Sequence, residues 1–193
     1  GKFEERTRQA GLSGLLGLWN GIAGRDLNGD GHMDYVVTNW GLNTHYRANR
    51  QRPVVLFAGH FNRNHDLQLI EAAYEGERLF PSRGKSALTQ ALPFLEEKFP
   101  SFASFASASV SDLVSTEILE KAHRLEATTL ESGALINNGQ GVFEFHPLPR
   151  LAQASPSFGL VLTEVNGDGN ADLFVVQNFS HLRIGSKELM EEE

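Results

Sequence analysis

The feature that most constrains this chain is a nine-residue acidic, glycine-rich loop set between two short apolar runs, and it occurs twice. The first copy is Ile22-Ala23-Gly24-Arg25 followed by Asp26-Leu27-Asn28-Gly29-Asp30-Gly31-His32-Met33-Asp34 and then Tyr35-Val36-Val37. The second is Leu160-Val161-Leu162-Thr163, then Glu164-Val165-Asn166-Gly167-Asp168-Gly169-Asn170-Ala171-Asp172, then Leu173-Phe174-Val175. β-Branched and aromatic flanks of this length favour strands. A third segment, Val54 to Ile70, keeps the apolar flanks but carries His60, Asn62, Asn64 and Gln68 where the others carry acids or their equivalents. Repeats of this kind define a fold before any other pattern does.

The loop pattern D-x-N-x-D-G-x-x-D alternates oxygen-bearing side chains around a tight turn. Positions 1, 3, 5 and 9 are Asp26, Asn28, Asp30 and Asp34 in the first loop, with the backbone carbonyl of His32 at position 7. In the second they are Glu164, Asn166, Asp168 and Asp172, with the carbonyl of Asn170. Such a set suits a hard cation taking six to eight oxygens at ~2.3–2.6 Å, and Ca²⁺ more than Mg²⁺, which demands octahedral regularity and retains its waters. Three carboxylates so close would repel one another without a cation. Gly31 and Gly169 at position 6 permit the reversal of the chain. An EF-hand shares the first six positions, but it needs a bidentate Glu at position 12 and flanking helices. Position 12 is Val37 in one loop and Val175 in the other, so the EF-hand fails.

Asn137-Asn138-Gly139-Gln140-Gly141 is a hairpin signal, with Gly and Asn supplying positive φ between two strands. Gly1-Lys2-Phe3-Glu4 matches Gly141-Val142-Phe143-Glu144, which leads us to expect that the chain begins inside a hairpin of the same type. Between residues 83 and 126 the apolar period changes: Leu88, Leu92 and Leu95, then Val110, Val114, Ile118, Ala122 and Leu125, recur at helical spacing. The spacing predicts short helices over 84–98 and 111–126, whose apolar stripes pack on a neighbour.

Strand, acidic loop, strand, with an Asn-Asn-Gly-x-Gly-x-Phe hairpin, resembles the FG-GAP/VCBS repeat of integrin-type β-propellers. It is similar in particular to large bacterial secreted proteins carrying many such repeats, including those ending in an ASPIC/UnbV-type module. The resemblance covers residues 1–80 and 127–180. It implies an all-β fold with a helical insertion, a partial propeller of roughly three blades. The implied division is blades over 1–82 (loop 26–34 intact, loop 60–68 degenerate), a helical insertion over 83–126, and a further blade with a charged tail over 127–193. It also implies cation ligands at Asp26, Asn28, Asp30 and Asp34, and at Asp168 and Asp172, to which the loop spacing adds the His32 carbonyl, Glu164, Asn166 and the Asn170 carbonyl. Glu164 departs from the usual Asp at position 1, and residues 60–68 depart at every carboxylate position, so no metal is assigned there.

Other chemistry is thinly represented. The chain has 193 residues, no Cys and a formal net charge of −7, which exclude disulfides, thiolate metal clusters and a general nucleic-acid binder. No apolar run has the ~20 residues of a membrane span. His60 and His65 lack further ligands at a set spacing, Ser82-Arg83-Gly84-Lys85 reads as the start of a helix with exposed charges, and Glu96-Glu97-Lys98 as solvated charge. Trp19, Trp40 and Tyr46 read as core or inter-sheet aromatics, with a sugar-stacking platform as the alternative. No acid pair or Ser/His/Asp set has a spacing that names a catalyst. The expected role is therefore non-catalytic: a Ca²⁺-stabilised scaffold outside the cell, at its surface or in the periplasm, that recognises a protein or glycan alongside the remaining blades. The alternatives are the frame of an extracellular carbohydrate-active enzyme or a lectin-like module.

Overall fold

The computed structural model describes residues 2–62 and 66–178. Among them the chain is mostly antiparallel sheet with a few short helices. Ten strands run in chain order: β1 (Gly21–Arg25), β2 (Asp34–Thr38), β3 (Val54–Gly59), β4 (Gln68–Glu75), β5 (Arg78–Pro81), β6 (His123–Ala127), β7 (Gly133–Asn137), β8 (Phe143–Pro147), β9 (Ser157–Thr163) and β10 (Asp172–Gln177). Five helices, α1 (Lys85–Ala91), α2 (Phe94–Lys98), α3 (Phe102–Ala106), α4 (Val110–Leu113) and α5 (Thr116–Lys121), lie between β5 and β6. The chain divides into two compact units, Tyr46–Thr128 and the residues on either side of that segment.

The flanking unit contains a four-stranded sheet in the order β1-β2-β7-β8 and a two-stranded ribbon of β9 and β10. Strand β2 does not alternate but is covered on both faces: Asp34, Val36, Val37 and Thr38 are buried and Tyr35 is half-buried. Its neighbour β7 arrives from far along the chain, pairing Tyr35 with Leu135 and Val37 with Gly133. A knot of buried polar groups holds that non-local junction. The Asn39 N–H donates to Ser132 Oγ at 2.9 Å, and Asn39 Nδ2 donates to the carbonyls of Thr129 and Glu131 at 3.1 and 3.2 Å. Gln153 completes it, accepting from the Ser132 N–H at 2.9 Å and donating to the Ser132 carbonyl at 2.8 Å. Burial without such partners would cost about 1–3 kcal/mol per group. The two ends of the sheet connection are thus tied together within this unit. Ribbon strand β9 lies against β1 so closely that a Cβ on Gly21 would sit 2.7 Å from Leu160 Cδ2, and Trp40 meets Phe158 edge to face at 6.4 Å.

The unit Tyr46–Thr128 holds the other sheet, in the order β5-β4-β3-β6. Strand β6 returns beside the first strand of the meander, the spatial order of a Greek key. Its core joins sheet and helices: Val55, Phe57, Ile70 and Ala72 pack with Leu88, Leu92, Leu95, Val110 and Leu113. Of the apolar stripes read from the sequence, Leu88, Leu92, Leu95, Val110 and Val114 pack on this neighbour, whereas Ile118 and Leu125 are exposed. The degenerate loop and the helices share this one core, so the helices are not set apart from β3–β5 at residues 82 and 83.

Three local expectations need correction. The helix predicted over 111–126 is broken at the extended Val114 into α4 and α5 and stops at Lys121, and residues 123–127 form β6, paired to β3 from Val54↔Ala127 to Ala58↔His123. Cross-strand pairing overrides the helical spacing of Ala122 and Leu125. The helix predicted over 84–98 is split where Pro93 denies the α conformation to Leu92, whose φ and ψ are −130° and 76°. Residues 2–4 form no strand, and Phe3 is fully exposed.

Candidate cation-binding loops

All three loops join antiparallel strands in one register. The residue before position 1 pairs with position 9: Arg25 with Asp34, Gly59 with Gln68, and Thr163 with Asp172. The same hydrogen bond closes each loop, from the N–H of position 2 to the side-chain oxygen of position 9. Leu27 donates to Asp34 Oδ2 at 2.9 Å, Val165 to Asp172 Oδ2 at 2.9 Å, and Phe61 to Gln68 Oε1 at 3.0 Å. The degenerate loop keeps this register and closing bond and exchanges the carboxylate for a neutral amide. Of its other candidate positions, Asn64 and His65 lie outside the described residues, and His60 Nδ1 is 3.1 Å from the Asp66 carbonyl.

The two acidic loops agree further inside. In the first, the N–H of Gly29 reaches Asp26 Oδ1 at 2.8 Å, that of Asp30 reaches Asn28 Oδ1 at 3.1 Å, and that of His32 reaches Asp30 Oδ1 at 2.8 Å. In the second, Gly167 donates to Glu164 Oε1 at 2.6 Å, Asp168 to Asn166 Oδ1 at 2.9 Å, and Asn170 to Asp168 Oδ1 at 2.7 Å. Such a chain of side-chain turns needs positive φ at position 6, and Gly31 and Gly169 supply 83° and 81°.

Position 1 differs. Asp26 takes two further N–H groups, Asp30 at 3.2 Å and Gly31 at 2.8 Å, whereas the longer Glu164 accepts from Gly167. The Gly31 N–H, with those of Gly29, Asp30 and Asn28, holds the Asp26 carboxyl below its ordinary range. The Asn170 N–H and the Asn166 side chain do the same for Asp168.

Position 9 differs more. Asp34 is fully buried, and its second oxygen, Oδ1, accepts from the N–H of Asn137 at 2.8 Å. Asn137 also donates from Nδ2 to the Met33 carbonyl at 3.2 Å, while its own Oδ1 accepts from Gly139 and Gly141 at 3.0 and 3.1 Å. One carboxylate therefore ties the first loop to the β7–β8 hairpin. The sequence marked Asn137 as a turn residue, but nothing in it pointed to the bond with Asp34, which spans 103 residues.

The donors in both loops are all oxygens: carboxylates, amides and the carbonyls of His32 and Asn170. That chemistry fits a hard cation. Among the described residues, however, no group of three or more His, Cys, Asp or Glu side chains converges as a metal centre. The carboxylates instead receive backbone N–H groups. Two other sequence readings change. Lys85 is buried rather than exposed, and donates to Glu96 Oε1 at 2.7 Å, so Glu96 is not simply solvated. Trp19, still 37% exposed, meets Phe145 edge to face at 6.3 Å.

Among the described residues no helix is long and apolar enough to cross a membrane. Comparisons with family models, with curated proteins and with solved structures return no match.

Proposed function

We propose that this chain is a Ca²⁺-stabilised segment of an FG-GAP/VCBS-type β-propeller, acting outside the cell or at its surface as a non-catalytic scaffold for recognition of a protein or glycan. The observation that carries the reading is the agreement of the loops at 26–34 and 164–172. They share strand register, closing bond and internal turns, and both set oxygen atoms at positions 1, 3, 5, 7 and 9. Asp26, Asn28, Asp30, Asp34 and the His32 carbonyl would hold one ion, and Glu164, Asn166, Asp168, Asp172 and the Asn170 carbonyl a second. The ion would offset carboxylate repulsion and fix each loop between its strands.

In this reading the β1-β2-β7-β8 sheet is one blade, with residues 46–128 inserted between its second and third strands, and β9–β10 begins the next. The ribbon supports it by leaving Val161, Phe174 and Val176 at 52%, 51% and 69% exposure, a face suited to further strands or a partner. Millimolar extracellular Ca²⁺ matches the weaker affinities of extracellular modules.

Thermal melts with Ca²⁺, Mg²⁺ and chelator test the proposal. At ~100-fold saturation, each site adds about 2.7 kcal/mol through RT ln(1 + [L]/Kd), so Ca²⁺ should raise Tm well above Mg²⁺. Identical curves in Ca²⁺ and chelator refute it.

A further inference from the structure

The β7–β8 hairpin grips the first acidic loop at three consecutive residues, all within one unit of the chain. His32, Met33 and Asp34 are positions 7, 8 and 9 of that loop. The His32 ring lies so close to Gly139 that a Cβ there would sit 2.7 Å from its Nε2. Asn137 Nδ2 donates to the Met33 carbonyl at 3.2 Å, and the Asn137 N–H donates to Asp34 Oδ1 at 2.8 Å. Asn137 Oδ1 accepts from Gly139 and Gly141 at 3.0 and 3.1 Å, which closes the turn that carries these contacts.

Positions 7 and 9 supply two of the oxygens a cation would use, the His32 carbonyl and the Asp34 carboxylate. Each Asp34 oxygen accepts one N–H and keeps capacity for an ion. Oxygens fixed before the ion arrives cost less to order on binding. The second loop is held differently. Among the described residues the Asp172 carboxylate accepts from Val165, inside its own loop, and from no hairpin, and it is half-buried where Asp34 is fully buried. We propose that the β7–β8 hairpin pre-forms the first loop, with Asn137 as the positioning residue, so that the loop at 26–34 takes Ca²⁺ more tightly than the loop at 164–172 and the bound ion in turn holds the hairpin closed. The two effects are one coupling free energy, read from either end. Partners that orient metal ligands change affinity by about 10–100-fold, which sets the expected gap. The inference rests on the Ca²⁺ reading of both loops and adds to it a ranking of the sites and a remote element that one of them controls.

The test is amide hydrogen exchange, followed by NMR on the full chain as Ca²⁺ is raised from chelator to millimolar concentration. The Leu27 and Asn137 amides, which donate to Asp34, report the first loop, and the Val165 amide, which donates to Asp172, reports the second. Exchange at Leu27 and Asn137 should slow together, at a Ca²⁺ concentration about tenfold or more below the one that slows Val165. The Phe61 amide, in the loop assigned no metal, should not respond. Asn137→Ala should raise the Leu27 midpoint about tenfold and leave that of Val165 in place. Asn138→Ala controls for a hairpin that is merely weakened, because Asn138 Oδ1 accepts from Gln140 and Val142, both inside the hairpin. It should leave both midpoints in place. Coincident midpoints for Leu27 and Val165 in the unmodified chain, an Asn137 amide indifferent to Ca²⁺, or equal shifts in the two variants overturn the proposal, and the first two outcomes require no variant to fold. Silence at all these amides in millimolar Ca²⁺ overturns the Ca²⁺ reading and this proposal with it, whereas two loops responding at one concentration overturn the proposal alone.

Discussion

Replacing Asp34 by Ala separates its structural role from any role as a ligand. In the folded chain its two oxygens accept from Leu27 at 2.9 Å and from Asn137 at 2.8 Å, and the side chain is fully buried. Alanine leaves both N–H groups without that partner. At about 1–3 kcal/mol for each stranded donor, the loss is about 2–6 kcal/mol. Asp172→Ala is the matched control, because Asp172 Oδ2 accepts from Val165 in an exposed setting, and one such bond is worth about 1 kcal/mol. Urea unfolding in chelator, followed by tryptophan fluorescence, isolates the effect. The chain has two Trp, Trp19 and Trp40, and both lie in the unit outside residues 46–128. The signal therefore reports the unit that contains Asp34. Equal losses for the two variants, or a loss below about 1 kcal/mol for Asp34→Ala, would refute the argument that Asp34 couples loop to hairpin.

Acid should destabilise the same unit. Asp26 and Asp168 titrate below their ordinary value of 3.8 in the folded state, so their contribution is present above that value and is lost as pH falls through the lowered one. Fluorescence-detected melts in chelator should be flat from about pH 7 to 5 and decline below about pH 4, and a decline already complete at pH 5 contradicts the assignment. Gln68→Ala should cost the other unit about 1–3 kcal/mol by stranding the Phe61 N–H. Hydrogen exchange at the Phe61 amide should accelerate, and an unchanged rate removes the closing bond from the account. The exposed Val161, Phe174 and Val176 face should drive concentration-dependent association in sedimentation, where a strict monomer at all concentrations shows that the face is self-sufficient.

What the sequence made legible was local. Ligand spacing in the loops carries the strand register with it, because the side chain at position 9 is both a candidate ligand and the acceptor that closes the turn. That is why Gln68 could be aligned with Asp34 and Asp172 although the chemistry differs. The stripe Leu88, Leu92 and Leu95 likewise announced a packed face, and all three are buried. Long-range pairing was not legible. Nothing near Val37 says that Gly133 lies beside it, and the stitching by Asn39, Ser132 and Gln153 is visible only once the chain has closed. Strand β6 was hidden for the same reason, since Leu125 fits a helical stripe until β3 offers it a partner.

The central claim is that two loops, and not three, hold a cation. Equilibrium dialysis with ⁴⁵Ca²⁺ counts the ions directly. The account expects two per chain, about one in Asp30→Ala or Asp168→Ala, and still two when Asn62 or Asn64 is replaced by Ala. No bound Ca²⁺ at millimolar concentration, or a count that falls on changing Asn62, would contradict it.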